Sequence, residues 1–504
     1  MVSRSQTTVR KNIVANMLGS GWTAILAIAF VPLYIHFMGV EAYGLVGFYV
    51  TLQMLFSVLD LGLTATLTRE LARLSALGNA GSLEMRNVVR TLELIYWSLA
   101  ALIILLVVAA SGWISTSWLN GRQLSPDVIR SAVILMGIVI AFRMPYSFYT
   151  GGLIGLQKQV LLNGVKIAIE TFRNGGGVVV LWLVSPTITA FFAWHAIAGV
   201  IGAGVLCVVL WRKLPAANDA PKFTPALFRK LWRFGAGMSG IAVISLLVME
   251  MDKVVLSKML PLDELGYYML ASTLAMGLSL LSTPIFSAIL PRLTQLVASK
   301  DDAGVREIYH SGSQFMTALI MPVALTLSLY SEPVLQIWTQ SETVAQHSSP
   351  ILSLLVVGTA FNAMMYIPYA LQLAHAWTRL TIIANVIYAA VLFPALIWMI
   401  SKYGVLGAAS IWVMLNVASV LFSLPIIHAK FLKGELKRWV LVDFALPTLA
   451  VLAVVGLLAV AMPADMGMVG NLFWICISLL ISLLSSFLLT PVTRAFIFRF
   501  MFAK

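Results

Sequence analysis

The stretch from Thr91 to Gly112 reads TLELIYWSLAALIILLVVAASG and contains one charged residue, Glu93, in 22 positions. A helix of this length extends about 33 Å at roughly 1.5 Å per residue, enough to cross a hydrocarbon core of about 30 Å. The run is continuous and lacks alternation at every second residue, which is typical of a transmembrane helix rather than of a membrane barrel strand. The stretch therefore predicts a helical membrane protein.

Thirteen further apolar runs are separated by segments that contain charges, Gly, Pro or Asn. The chain of 504 residues is 60% hydrophobic and only 11% charged, too little polar surface for a soluble fold. The sequence thus predicts an all-α polytopic membrane protein with about fourteen transmembrane helices. The predicted spans are 13–37, 43–67, 91–112, 130–155, 161–184, 189–210, 233–257, 265–289, 311–330, 350–374, 380–401, 405–428, 440–462 and 469–490.

The basic residues are distributed unevenly between the two sides of the predicted membrane. The segments on the side of the N-terminus carry 25 of the 33 Lys and Arg residues, and those on the opposite side carry four. Because cytoplasmic loops retain an excess of Lys and Arg, both termini are predicted to be cytoplasmic. The net charge of +13 is then an orientation signal, and no nucleic-acid partner is needed to explain it.

The longest predicted cytoplasmic connection, 212–232, divides the spans into two groups. We expect an N-lobe at 1–211 with spans 1–6, a C-lobe at 233–429 with spans 7–12, and spans 13 and 14 with the tail at 430–504. The segment Ala65-Thr-Leu-Thr-Arg69 resembles Ala288-Ile-Leu-Pro-Arg292 at an offset of 223 residues. This match favours two parallel six-helix lobes plus an extra helix pair, and a common helix-end pattern is the alternative interpretation.

Several classes of function are disfavoured. No segment between predicted spans much exceeds about 20 residues, so a soluble catalytic domain has no room to fold. A Gly-x4-Gly-Lys-Ser/Thr phosphate loop is absent from the sequence, which argues against a pump that hydrolyses ATP by itself. The six histidines and two cysteines lack metal-ligand spacing. We therefore expect neither an enzyme nor a bound cofactor or metal.

Span 5 carries three charged residues on one helical face. Lys166, Glu170 and Arg173 occupy positions i, i+4 and i+7, in the order plus, minus, plus. An ionisable residue in mid-membrane costs at least about 2.5 kcal/mol, so this stripe cannot face lipid. It lines a water-filled cavity that suits an anionic ligand, or it forms a structural ladder of ion pairs.

Arg143 lies near the middle of span 4, two residues before Pro145. Its planar guanidinium matches phosphate or carboxylate, and we favour that role over a structural bond to a backbone carbonyl.

On span 7, Glu250 and Lys253 can pair at i and i+3, while Asp252 points about 100° away from Lys253. The remaining carboxylate would carry a proton or bind sodium; alternatively, all three residues cap the outer end of the lobe.

Three further acids lie near predicted cytoplasmic span ends. We favour snorkelling of these side chains or neutralisation of nearby arginines over a binding role, although Asp60 is retained as a candidate cavity acid. The expected pairs are Asp60 with Arg69, Glu93 with Arg90 and Asp443 with Arg438.

A series of motifs runs along the chain in a recognisable order. These motifs are Asn12, Gly19, Pro32, Met-Gly-Val-Glu-Ala-Tyr43-Gly44, Leu-Asp60-Leu-Gly62-Leu, Arg69, Gly155-Leu-Gln157, Met-Asp252-Lys253 and Leu-Gly266-Tyr267. With them the sequence resembles polysaccharide and O-antigen flippases of the multidrug/oligosaccharidyl-lipid/polysaccharide exporter superfamily. The similarity is strong in the first two spans and rests only on topology after span 12.

The resemblance implies a V-shaped pair of six-helix bundles that opens alternately to either side of the bacterial inner membrane. It also implies that an undecaprenyl-pyrophosphate-linked oligosaccharide moves from the cytoplasmic to the outer leaflet, with membrane lipids and polysaccharide polymerase or assembly proteins as partners. By analogy with lipid II flippases, spans 13 and 14 could hold the lipid tail.

The intramembrane charges are assigned roles within that expectation. The candidate substrate-binding cations are Arg143, Lys166, Arg173 and Lys253, and the candidate ion-coupling or cavity acids are Glu170, Glu250, Asp252 and Asp60. The alternatives are a cation-coupled multidrug exporter, a lipid II flippase and a non-transporting scaffold of polysaccharide assembly. The basic stripe disfavours export of cationic drugs.

Overall fold

The computed structural model describes residues 2–463 and 466–490, so the tail of the predicted 430–504 segment beyond residue 490 lies outside the described residues. Every regular element within those residues is a helix, apart from an isolated bridge between Asn120 and Pro261. Packing divides the chain into two compact units, Met1–Gly266 and Tyr267–Lys504. The predicted lobe boundaries at 211 and 233 were drawn from span order and stay a prediction.

The first unit contains nine helices and the start of a tenth among its described residues. They are α1 (Val2–Ala29), α2 (Val31–Met38), α3 (Val40–Ser57), α4 (Leu63–Ser75), α5 (Ser82–Trp113), α6 (Pro126–Gly155), α7 (Gln159–Leu183), α8 (Ile188–Lys213), α9 (Pro225–Met259) and the beginning of α10 (Leu262–Ala298).

The second unit contains the rest of α10 and nine further helices among its described residues. They are α11 (Asp302–Leu329), α12 (Ser331–Thr339), α13 (Glu342–Met364), α14 (Tyr366–Ala374), α15 (Arg379–Ala418), α16 (Leu424–Phe431), α17 (Leu436–Arg438), α18 (Leu446–Val460) and α19 (Gly467–Leu489).

Helix α6 lies at the centre of the first unit, packed against α4, α5 and α8. Its start is set by Ser125, whose hydroxyl accepts the Val128 N–H, and by a proline at its first position. Close packing depends on glycine, since a Cβ at Gly137 or Gly152 would lie 2.7 Å from a neighbouring side chain. This packing fixes the helix that carries Arg143.

The prediction of one continuous helix at 43–67 is wrong. Helix α3 ends at Ser57, a 3₁₀ turn follows at Val58–Asp60, and α4 begins at Leu63. Between them Leu61 and Gly62 adopt left-handed backbone angles, with φ of 44° and 72°. Glycine adopts this conformation without steric cost, which explains the Asp-Leu-Gly order at the break. The interruption places Asp60, which is partly buried, at the end of a short helical turn.

The connection between α8 and α9 is shorter than the predicted linker 212–232, because α9 already begins at Pro225. Proline suits the first position of a helix, where its missing N–H costs no hydrogen bond. The connection lies across α5: the Lys222 N–H donates to Asn87 Oδ1 at 2.7 Å, and Arg86 Nη1 donates to the Pro215 carbonyl at 3.0 Å.

Glu41, in the Gly-Val-Glu-Ala-Tyr-Gly motif, fixes the loop before α6. Its buried carboxylate accepts the backbone N–H groups of Arg122 and Gln123 at 2.7 and 2.9 Å. The same loop is tied to the start of α10, where Arg122 pairs with Asp263 at 2.7 Å. The motif therefore organises the loop that leads into α6.

The second unit is built around α11, against which α18 and α19 pack. Its core includes Tyr330, Val451, Val455 and Ile475. The Tyr330 hydroxyl lies 3.1 Å from the Ser478 hydroxyl, which links α19 to the end of α11. The predicted extra helix pair is thus an integral part of the second unit.

Eleven helices among the described residues are long and apolar enough to cross a membrane. Helix α7 is not one of them, since its middle contains three charges. One of the eleven, Arg379–Phe431, includes two predicted spans, and Gly404 breaks its helical path with φ of 57° and ψ of −136°. The chain is therefore an all-α polytopic membrane protein, as predicted, while the number fourteen stays a prediction.

Candidate functional site

Helices α6 and α7 bring predicted cations together around one carboxylate. Arg143 Nη1 lies 3.5 Å from Glu170 Oε1, and Arg173 Nη2 lies 2.5 Å from Glu170 Oε2. Lys166 lies within electrostatic reach of both Arg143 and Glu170, but none of the ion pairs within 4 Å among the described residues includes it. We call these four residues the cationic cluster.

The cationic cluster carries more positive than negative charge. A buried carboxylate is tolerated only when it is paired, and Glu170, which is 5% exposed, accepts from two guanidinium groups. With Lys166 nearby, three cations share one anion. The Arg143 side chain is more exposed than that of Arg173, 37% against 23%, and its distance to Glu170 is longer. Arg143 is therefore the more available of the two arginines to a ligand.

One contact within α6 and one from α8 hold the two arginines in place. The guanidinium of Arg143 lies over the Tyr146 ring, 4.9 Å from its centroid, which adds a cation–π contact. Trp194 Nε1 on α8 donates to the Arg173 carbonyl at 3.0 Å. The indole of Trp194 fits against Gly176, where a Cβ would lie 2.2 Å from the ring. The backbone that carries Arg173 is thus fixed by α8.

Arg143 lines two cavities in the first unit. The first has a volume of about 20 Å³ and is lined by Val139, Phe142, Arg143, Tyr146, Ile169, Glu170, Arg173, His195, Ala198 and Gly199. The second has a volume of about 160 Å³ and is lined by Gln53, Met54, Phe56, Ser57, Asp60, Ile140, Arg143, Met144 and Ser147. The second cavity combines one cation, one acid and three neutral polar side chains with apolar walls, a composition typical of small-molecule sites.

Asp60 is held at the break between α3 and α4. Its Oδ1 accepts from the Thr64 hydroxyl at 2.5 Å and from the Tyr96 hydroxyl. The expected pair with Arg69 is wrong: none of the described ion pairs joins them, and Arg69 binds Glu70 at 2.7 Å. Asp60 instead lines the larger cavity, in agreement with its alternative assignment as a cavity acid.

Glu93 and Asp443 are the other two acids that were expected to pair with nearby arginines. The predicted pair between Glu93 and Arg90 is confirmed at 3.0 Å. Glu93 also accepts from Tyr149 and Trp211, so it links α5, α6 and α8.

The predicted neutralisation of Asp443 by Arg438 is wrong. Arg438 pairs with another acid, and sequence alone could not reveal the buried partners of Asp443, because they lie about 130 residues away on α11.

On α9, the predicted pairing at i and i+3 is confirmed. Lys253 Nζ lies 2.9 Å from Glu250 Oε2, and both residues are buried. The expectation that Asp252 is left without a partner is wrong, because it has interactions of its own and lies within electrostatic reach of Lys253. None of the described ion pairs joins these residues to the cationic cluster.

Sequence reasoning missed the neutral residues of the site. Gln53, Ser57 and Ser147 line the larger cavity but carry no charge, and charge was the signal used for intramembrane sites. Polar residues inside otherwise apolar spans were the available signal. Within the described residues, no group of three or more His, Cys, Asp or Glu could hold a metal ion.

The fold and the site together define a polytopic membrane transporter whose first unit encloses a polar pocket with excess positive charge. The family model described as "Polysaccharide biosynthesis protein" matches residues 9–297, more than half of the chain. The chain therefore belongs to this family, which confirms the resemblance found in the sequence. A second family model, MatE, matches residues 239–399.

Similarity to individual proteins extends over most of the chain. A Shigella flexneri protein named "Putative O-antigen transporter" is 25% identical over 411 residues, which cover 80% of this chain and 94% of that protein. The solved structure of the lipid II flippase MurJ in an inward closed conformation has a TM-score of 0.70 at 14% identity, covering 97% of this chain and 99% of that one. The solved structure of a multidrug resistance MATE family transporter of the MOP superfamily, in an inward-facing conformation, has a TM-score of 0.64 at 13% identity. This match covers 82% of this chain and 96% of that one.

Proposed function

We propose that the protein flips an undecaprenyl-pyrophosphate-linked oligosaccharide, an O-antigen or exopolysaccharide repeat unit, from the cytoplasmic to the outer leaflet of a bacterial inner membrane. The observation that carries this proposal is the position of Arg143. It lies in the membrane-embedded part of the first unit, lines two cavities, and shares Glu170 with a second arginine. A transporter of cationic drugs has no use for this excess of positive charge.

The diphosphate is the part of the substrate that the cationic cluster would recognise. A guanidinium offers a planar fork of donors to phosphate oxygens, and charge-assisted bonds of this kind are about twice as strong as neutral ones. At 3.5 Å, the contact between Arg143 and Glu170 is long for such a bond. An arriving phosphate can therefore replace Glu170 at Arg143, while Arg173 keeps the carboxylate paired.

The sugars require neutral hydrogen-bonding groups rather than charge. Gln53, Ser57 and Ser147 provide them on the wall of the larger cavity, beside the apolar Met54 and Ile140. The polyprenyl tail stays in lipid throughout, since its transfer into a polar cavity would be unfavourable. Alternating access moves only the polar head group across the membrane, and the basic loops keep both termini in the cytoplasm.

The comparisons support this substrate class over the alternatives. The relative from Shigella flexneri is named for O-antigen transport. The similarity in fold to the lipid II flippase covers 97% of this chain, against 82% for the multidrug transporter. The longer match supports a role for α18 and α19 in handling a lipid. A lipid II flippase remains the second candidate, because its substrate has the same polyprenyl diphosphate.

The proposal also includes coupling of transport to an ion gradient. Glu250 and Asp252 on α9 and Asp60 in the larger cavity are the acids proposed to bind the coupling proton or sodium ion. In reconstituted vesicles, a pH or sodium gradient should accelerate flipping by wild-type protein. Equal acceleration of E250Q, D252N and D60N would exclude these acids from coupling.

The test in cells uses a strain that lacks its own polysaccharide flippase. Wild-type protein should restore surface polysaccharide, and R143A should reduce it at least tenfold with equal protein in the membrane. R130A is the matched control, since Arg130 lies on the same helix and is exposed. Wild-type polysaccharide levels in R143A would contradict the proposal.

A second strain separates the two lipid-linked substrates. Rescue of cells depleted of their lipid II flippase would assign the protein to peptidoglycan, whereas rescue of polysaccharide alone supports the proposal. Drug resistance in an efflux-deficient strain would favour a multidrug exporter. Association with a polysaccharide polymerase is proposed as well, and co-purification from the native membrane tests it.

A further inference from the structure

Two buried hydrogen-bond donors beside the cationic cluster have no acceptor among the described residues. They are the Tyr146 hydroxyl on α6 and the Arg173 Nε on α7. Buried donors are nearly always hydrogen-bonded in folded proteins, and a donor that lacks a partner destabilises the fold. The two groups therefore require an acceptor that the described part of the chain does not supply.

Tyr146 and Arg173 both line the smaller of the two cavities that Arg143 borders. Its volume of about 20 Å³ is sufficient for one oxygen-sized group, and a whole phosphate is larger. The other polar residues of the wall are engaged elsewhere. Glu170 pairs with the terminal nitrogens of both arginines, and His195 Nδ1 faces a carbonyl of its own helix at 3.0 Å.

The two donors are held in fixed directions. The Tyr146 ring contacts the Arg143 guanidinium, and α8 packs closely beside it, since a Cβ at Gly202 would lie 3.6 Å from the ring. Arg173 Nη2 is bound to Glu170 Oε2 at 2.5 Å. Because a guanidinium is planar, this ion pair also fixes the direction of the Nε–H. Donors that are already ordered lose little entropy when they bind a ligand.

We propose that the smaller cavity is an oxyanion subsite, in which the Tyr146 hydroxyl and the Arg173 Nε donate to one phosphate oxygen of the lipid-linked substrate. This assignment rests on the function proposed above and adds Tyr146 to the residues that bind the diphosphate. Arg143 lines both cavities. A phosphate that it holds at the larger cavity can therefore place one oxygen in the smaller one.

The charge of the surroundings favours an anionic oxygen over a water molecule. Arg143, Arg173 and the nearby Lys166 outnumber the single carboxylate of Glu170, whose charge is offset by the two guanidinium groups. Hydrogen bonds between charged partners are about twice as strong as those between neutral ones. The subsite therefore gains more from an oxyanion than from water.

The variant Y146F isolates the hydroxyl, because phenylalanine keeps the ring that contacts the Arg143 guanidinium. Binding of a fluorescent undecaprenyl-pyrophosphate-linked oligosaccharide to full-length protein in nanodiscs should become about tenfold weaker. The melting temperature of the ligand-free protein should not fall, because the lost donor has no partner in the described part of the chain. Y403F is the control, since Tyr403 is 59% exposed, and it should match the wild type in both measurements.

A second variant tests the other donor. R173K keeps the positive charge of the cluster but removes the Nε–H, and it should also weaken binding about tenfold. This variant provides the test if Y146F fails to fold. Wild-type affinity in R173K would overturn the assignment of this donor to the substrate.

The two readouts of Y146F decide between a subsite and its alternatives. Wild-type affinity at an unchanged melting temperature would mean that the cavity holds only water, and it would overturn the proposal. A lower melting temperature would give the hydroxyl a structural partner and would overturn it as well. R143A separates the subsite from the proposed function. If R143A binds weakly and Y146F binds like the wild type, only the subsite fails; if R143A binds like the wild type, the proposed function fails too.

Discussion

The cationic cluster of the first unit contains more basic than acidic side chains, whereas the buried cluster of His310, Asp443 and Glu435 in the second unit contains more acidic than basic ones. In the first, Arg143 and Arg173 share the single carboxylate of Glu170, and Lys166 lies within electrostatic reach of it. In the second, Asp443 and Glu435 share one histidine. The arginine side chains are 37% and 23% exposed, whereas those of His310 and Asp443 are 2% and 0% exposed.

The difference shows how to separate a ligand site from a structural one. A cluster with surplus cations beside a cavity can exchange an internal partner for an anionic ligand. A cluster that is closed to solvent can only hold its own helices together, because its polar groups are already enclosed by protein. Substitutions in the first cluster should therefore affect transport more than stability, and those in the second should do the reverse.

The largest effect on stability is expected for D443A. This change removes the buried carboxylate that His310 and Gln314 contact, and leaving buried polar groups without their partner typically costs about 2 to 3 kcal/mol. The free energy of unfolding, measured by denaturant titration in detergent, should fall by that amount. D219A serves as control, because Asp219 is exposed and its loss should have little effect. Equal stability of D443A and D219A would contradict the assignment.

The next largest effect is expected for R143K, and it should fall on transport. Lysine keeps the charge but loses the planar fork and the stacking on Tyr146. We expect a roughly tenfold lower flipping rate, equivalent to about 1.4 kcal/mol, with stability unchanged within about 1 kcal/mol. R130K should match wild type in both measurements. A large loss of stability in R143K without a change in rate would make Arg143 a structural residue.

A smaller effect distinguishes the two arginines from each other. Double-mutant cycles with E170Q should give a coupling above about 1 kcal/mol for Arg173 and below about 1 kcal/mol for Arg143. Arg173 Nη2 lies 2.5 Å from a carboxylate oxygen of Glu170, whereas Arg143 Nη1 lies 3.5 Å from the other oxygen. Arg143 is also the more exposed of the two arginines. Equal coupling energies would mean that Glu170 holds both arginines equally, and Arg143 would then not be the freer of the two.

The smallest effect is expected at the surface of α4. Burial raises the pKa of the Glu70 carboxyl, but hydrogen bonds from Arg69 and Arg73 outweigh burial and bring the pKa below its usual value. A lowered pKa stabilises the fold above the unfolded-state value, and the contribution is lost as the pH falls through the folded-state value.

E70Q should therefore cost at most about 1 kcal/mol at pH 7, because both arginines are about half exposed, and this cost should decrease as the pH falls through the lowered pKa of the Glu70 carboxyl. Melting curves of wild type and E70Q across pH measure it. E84Q is the control, since Glu84 is 44% exposed and contacts only Arg73 among the described ion pairs. A cost that is constant over the pH range would contradict this explanation.

Local sequence predicted what depends on local spacing. The run from Thr91 to Gly112 was sufficient to predict the fold class, because hydrophobic length is a property of the chain itself. The spacing of Glu250 and Lys253 likewise predicted their pairing. On α7, the face shared by Glu170 and Arg173 followed from helical periodicity, and the structure adds the distance between them.

Contacts between distant segments could not be predicted in this way. Glu170 binds Arg143 from another helix, and Asp443 binds His310 across 133 positions. Neither partner is marked by local pattern, and a single histidine in an apolar helix is more often packed than charged. The break at Leu61 and Gly62 had a local signal in the Asp-Leu-Gly order, but hydrophobicity continues through it and favoured an unbroken helix.

The most direct test is flipping by purified protein in vesicles that contain a fluorescent undecaprenyl-pyrophosphate-linked oligosaccharide. Quenching from outside measures the fraction of lipid exposed in the outer leaflet over time. Wild type and R130A should flip the lipid at equal rates, R143A should be at least tenfold slower, and a polyprenyl-linked sugar that lacks the diphosphate should not be flipped. Equal rates for wild type and R143A, or equal flipping of the lipid without diphosphate, would contradict recognition of the diphosphate by Arg143.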